Sequence, residues 1–148
     1  MKRKLLIVAI TISLFFRCGH PTSEQAGDEA DEQHHDNTTE LIELNNGAKW
    51  LVNDEMKPYV AEAEATVNSY ISSHSSDYQA LAAQLKEKNA ALIKSCTMKG
   101  KSHEELHKWL HPHLELVDSL SKTETKENAD KIIADIRASF QTYHQYFQ

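Results

Sequence analysis

KSHEELHKWLHPHLELVDSLS, residues 101–121, decides the fold. Leu106, Trp109, Leu110, Leu114, Val117 and Leu120 recur at steps of three and four, the period of an α-helix with one face turned to a core. Ser102 stands where an N-cap is expected, and Glu105 three residues on completes the pattern of a capping box. Pro112 lies inside the helical stretch and is expected to kink it or distort a turn. Imidazoles fill much of the rest. At about 100° per residue, His103, His107 and His111 drift across about 80° of the helix surface, from near the apolar stripe towards solvent. His113 falls inside the apolar face.

Moving outward, Lys99-Gly100-Lys101 breaks the chain before this helix. A second amphipathic stretch precedes the break, over about 76–96, with Tyr78, Leu81, Ala82, Leu85, Leu92 and Ile93 inward. Before it, Met56, Tyr59, Val60, Ala63, Val67, Tyr70 and Ile71 mark a helix over about 54–73. Pro58 fits only in a first turn and so fixes its start. After residue 121, Ile132, Ile133, Ile136, Phe140, Tyr143 and Phe147 share one side of a stretch from about 125 to 147, so the central helix spans about 102–120. Four amphipathic helices joined by short loops predict an all-α domain, an up-down-up-down four-helix bundle over 41–148. Asn45-Asn46-Gly47 lies between two short apolar-rich runs and suits the positive φ of a tight turn, so a short β-hairpin is expected over 41–52. A lone hairpin is marginal in water, and Trp50 and Leu51 are expected to pin it to the helices.

The amino-terminal third reads differently. Met1-Lys2-Arg3-Lys4 leads into an apolar run from Leu5 to Phe16, too short to span a bilayer, which is the pattern of a secretory signal over 1–17. Leu14-Phe15-Phe16-Arg17-Cys18-Gly19 resembles a bacterial lipobox. That resemblance implies that Cys18 becomes the lipidated first residue of an exported chain. The alternative is an uncleaved anchor, and either form tethers the protein in the periplasm or at the cell surface. Residues 19–40 hold seven acids and no Lys or Arg, and cannot bury a core. With Cys18 they form an expected disordered acidic stalk over 18–40.

Removing Lys2, Arg3, Lys4 and Arg17 from sixteen basic residues leaves twelve against twenty-two acids, a formal charge of −10. Such a surface attracts cations and argues against a nucleic-acid partner, whose phosphates need a basic footprint. With Cys18 acylated, Cys96 has no partner in the chain. It is a free or ligating thiol, an intermolecular disulfide, or a small buried apolar group.

Up-down topology carries the function question further. The end where the second helix stops and the third starts also receives the last helix's carboxyl end and the first helix's start. It therefore collects Met56, Cys96, Met98, His103, His107 and His144. Thiolate, thioether and imidazole together suit copper as Cu(I), or zinc where Cys and His dominate. The metal set expected is Cys96, Met98, His103, His107 and His144, with no catalytic residue. His103 and His107, at i and i+4, can share one ion from one helix face. A single His at a helix edge is more often solvated, and a partner-binding bundle with no metal is the alternative.

Three further resemblances bear on this end. His103-Glu104-Glu105-Leu106-His107 is similar to the zincin HExxH motif, with Glu104 at the acid position, but a third ligand and a substrate-binding strand have no counterpart here. Met56 and His144 resemble in placement the axial ligands of b562-type cytochromes, which implies a non-covalent haem slot. Trp109 and Phe140 are available to fill that space instead. Met98 to Leu110, Met-Lys-Gly-x-x-His-x-x-Leu-His-x-Trp-Leu, resembles a segment of small exported helical bacterial proteins encoded near heavy-metal efflux systems. It implies periplasmic metal handling, an efflux component as partner, and Cys96, Met98, His103 and His107 as the matched positions.

Overall fold

The computed structural model describes residues 41–148; the expected signal, Cys18 and the acidic stalk lie outside them. Four helices follow in order: α1 (Lys57–Ser72), α2 (Tyr78–Ser95), α3 (Lys101–Lys122) and α4 (Lys126–Tyr146). α1 packs on α2, α2 on α3, α3 on α4, and α4 more lightly back on α1, which closes a four-helix bundle. None of these helices is long and apolar enough to cross a membrane.

Local chemistry sets the boundaries. Pro58 sits in the first turn of α1, where its missing N–H goes unused. The Asp77 carboxylate accepts the Ala80 N–H at 2.9 Å and caps α2. The Thr125 hydroxyl accepts the Asn128 N–H and caps α4. α3 departs from expectation. Its N-cap is Gly100, at φ 66° and ψ −154°, with no side-chain cap, and Ser102 is already helical. The capping box fails because Glu105 turns inward to other partners. That backbone geometry is open essentially to glycine alone. α3 then runs unbroken through Pro112.

The core is the one drawn by the helical periods. Val60, Ala63 and Val67 of α1 bury against Leu81, Ala82, Leu85 and Leu92 of α2. They meet Leu106, Trp109, Leu110, Val117 and Leu120 of α3, and Ile133, Ile136, Phe140 and Tyr143 of α4. Two apolar residues expected inward are not: Ile71 and Ile93 are exposed, each in the closing turn of its helix.

Residues 41–53 form a strap. The expected turn is there, with Asn46 at φ 52° and Gly47 at φ 88°, closed by reciprocal Asn45–Ala48 backbone bonds of 2.9 and 3.0 Å. Two successive positive φ values are what a primed hairpin turn demands. No strand among the described residues extends it, so the hairpin expected over 41–52 is reduced to this turn. The following residues pair with the carboxyl terminus instead. The Trp50 N–H donates to the Tyr146 carbonyl (2.8 Å), Gln148 N–H to Trp50 (2.9 Å) and Val52 N–H to Gln148 (3.0 Å), a parallel bridge. Val52 is the residue this register buries, and Leu51 points to solvent, contrary to expectation. A shift of one position along extended chain exchanges the two faces.

Candidate metal site at the start of helix α3

α3 places three imidazoles in a row. The Nε2 atoms of His103 and His107 face each other at 3.0 Å, and Nδ1 of His107 meets Nε2 of His111 at 2.9 Å. Adjacent rings cross nearly edge to face, with centroids 4.3 and 4.8 Å apart. The spacing i, i+4, i+8 produces this directly, since residues four apart stack on one helix face. His103 and His107 are half-buried and His111 is exposed, the gradient expected from the drift of the row around the helix. Burial, then the neighbouring His103 and His111, hold the pKa of His107 below the usual imidazole value. Glu104, at the acid position of the HExxH-like segment, is exposed.

The sulfur candidates sit just before the row. Cys96 is the C-cap of α2, a free and half-buried thiol, and Met98 is half-buried two residues on. Both pack against the edge of the core. The loop that carries them is clasped by Asn53, whose side chain donates to the Ser95 carbonyl (3.0 Å) and accepts the Thr97 N–H (3.3 Å). His144 is engaged elsewhere: its Nε2 lies 2.8 Å from the Glu64 carboxylate of α1. Met56 is buried in the core at the start of α1. Among the described residues, no group of three or more His, Cys, Asp or Glu side chains is gathered so as to hold a metal ion. Of the five expected ligands, His103 and His107 are brought together as a facing pair.

Two polar groups near the row are fully buried: Glu105, which sequence reading assigns to a capping box, and His113, which it places on the apolar face. Glu105 accepts the Glu43 N–H at 2.8 Å and pairs with Lys101 (2.8 Å) and Lys108 (3.0 Å). Burial alone would raise its pKa, but the bonds from Lys101, the Glu43 amide and Lys108 outweigh it and hold the carboxyl at about 2. With Lys108 also donating to the Leu41 carbonyl, this cluster fastens the strap to α3. His113 is the second group. It is fully buried between Trp109, stacked at 5.0 Å, and Phe140, edge-on at 4.9 Å. Its Nδ1 is 3.0 Å from the Ser139 hydroxyl. Burial pushes its pKa down to about 4, so it is a neutral core residue. Trp109 donates to the Ser139 carbonyl at 2.8 Å, and both Trp109 and Phe140 are buried in the core.

No protein-family model matches this chain, and no curated protein or solved structure matches it either.

Proposed function

We propose that the protein is an exported, membrane-anchored bundle that binds a copper or zinc ion without enzymatic activity. The observation that carries this is the facing pair of Nε2 atoms, His103 and His107, 3.0 Å apart at the start of α3. A tetrahedral zinc ion with Zn–N bonds of about 2.0–2.1 Å holds two ligand nitrogens about 3.3–3.4 Å apart. Opening the pair by a few tenths of an ångström therefore admits the ion, within the ordinary freedom of two half-exposed side chains. Two imidazoles leave coordination positions open. Cys96 and Met98 are the nearest sulfur donors in sequence, and would complete a soft Cu(I) site if the 96–100 loop released Asn53. His144 would have to exchange Glu64 for the metal.

Lipidation at Cys18 would tether the chain to a membrane on the exported side. There an efflux component is the fitting partner, and the net negative charge of the chain favours cations. A second proposal, a partner-binding bundle without metal, draws support from the pairing of His144 with Glu64 and the clasp of Asn53 on the 95–97 loop, which already engage this end of the bundle.

Cu(I) titration of the full chain against a competing chelator separates the two. One stoichiometric site is expected, lost in the Cys96→Ala/His103→Ala double variant. Binding no tighter in the parent chain than in that variant ends the metal proposal and leaves the partner-binding one.

A further inference from the structure

We infer that His111 is a positioning residue for a metal held by His103 and His107: it accepts the Nδ1–H of His107 and so keeps the Nε2 lone pair of His107 aimed at the ion. This rests on the metal proposal above. The geometry divides the roles. His107 is the only member of the row that touches both neighbours, through different ring nitrogens, Nε2 towards His103 and Nδ1 towards His111. A third ligand would need its nitrogen beside the two facing Nε2 atoms. The Nε2 of His111 lies instead on the far side of the His107 ring, at hydrogen-bond distance from Nδ1. It is placed as an outer partner.

A neutral imidazole carries one N–H, and two proton arrangements satisfy both contacts. In one, His103 donates to His107 and His107 donates to His111. In the other, the donors run back along the row. Only the first leaves Nε2 of His107 unprotonated, which a metal requires. Metal at Nε2 therefore selects the first arrangement, with His103 moving its own proton from Nε2 to Nδ1. Ligating imidazoles ordinarily donate their second N–H to a carboxylate, carbonyl or water, which fixes the tautomer and raises ligand basicity. Here a third imidazole takes that role, and the i, i+4, i+8 spacing supplies it from the same helix.

The test is Zn(II) titration of the full chain against a chromophoric chelator, with nitrogen-15 spectra of the imidazoles in the Zn(II)-loaded protein. His111→Ala is expected to weaken Zn(II) binding about 10–100-fold, the usual effect of removing an outer partner. His111→Gln, whose amide oxygen can accept the same proton, is expected to recover most of the loss. His107 should be found with its proton on Nδ1. Since His111 is exposed, its variants should fold, and circular dichroism verifies it. His103→Ala and His107→Ala should each lose the site. If they do and His111→Ala changes nothing, or if His107 carries its proton on Nε2, the positioning role is overturned while the metal site stands. A second Zn(II) that is lost in both His107→Ala and His111→Ala would also overturn it, since His107 would then stand between two ions. If neither His103→Ala nor His107→Ala moves the affinity, the metal proposal fails and the positioning role with it.

Discussion

His113 makes folding depend on pH between neutrality and the carboxylate range. Its ring is fully buried between Trp109 and Phe140, and burial lowers its pKa from 6.5 to about 4. The folded chain thus prefers the neutral ring, while the unfolded chain takes up a proton below about 6.5. Between those values the unfolded state binds more protons, so stability is full above pH 6.5 and falls as pH drops towards 4. A gap of about 2.5 units corresponds to about 3 kcal/mol at pH 4, of which about 2 kcal/mol is already lost between pH 7 and 5. The upper part of the window lies above the ordinary range of the carboxylates, whose titration would otherwise overlap it. Urea unfolding followed by circular dichroism at half-unit steps from pH 7.5 to 4.5 measures the slope. His113→Phe keeps an aromatic ring against Trp109 and Phe140 and removes the titration. The comparison rests on the slope, so a change in absolute stability from the unpaired Ser139 hydroxyl does not matter. The variant should lose about 2 kcal/mol less than the parent chain between pH 7 and 5. Parallel slopes in the two proteins, or a His113 ring that titrates near 6.5 in the folded state, would refute the account.

Further outcomes follow from the same geometry. Glu105→Ala takes the buried acceptor from the Glu43 amide, Lys101 and Lys108 and should destabilise by about 1–3 kcal/mol in urea unfolding; an unchanged stability would show the strap cluster to be dispensable. In the parent chain Glu105 adds a separate acid window: its folded pKa of about 2 lies below the unfolded 4.5, so its contribution, complete above 4.5, is lost as pH falls from 4.5 to 2. Gly100→Ala should lower stability by about 1–3 kcal/mol through the backbone alone, because a Cβ there meets nothing within 4 Å; an unchanged thermal midpoint contradicts this. Phe147→Ala removes a fully buried ring stacked on Tyr143 at 5.4 Å and should cost about 3–5 kcal/mol, with faster amide exchange at Trp50 and Val52 as its local mark. Zn(II) affinity should fall from pH 7 to 5 as imidazoles take up protons, with the lowered pKa of His107 keeping that ligand available to lower pH than a free imidazole; a flat profile would refute imidazole ligation.

What could be read in the sequence was whatever a single helix decides by itself. The stripe from Leu106 to Leu120 and the burial of His113 follow from the 3.6-residue period, and so does the gradient from half-buried His103 to exposed His111. The contact between neighbouring rings follows from the i, i+4 spacing in the same way. What could not be read belongs to pairs of distant segments. Ser102-x-x-Glu105 has the form of a capping box, and nothing within α3 says that Glu105 will instead accept an amide 62 residues away. An extended strap also has no periodic signal strong enough to choose between Leu51 and Val52 as the inward residue. That choice is made by the carboxyl terminus, when Tyr146 and Gln148 fix the register through Trp50. Topology groups His144 with the donors because it brings helix ends together, yet an end of a bundle has several sides. Its imidazole meets Glu64 of α1, across the light α1–α4 seam. Direction of the chain settles which residues share an end. Only packing settles which of them share a face, and here it turns His144 to Glu64 and leaves His103 and His107 facing each other on α3.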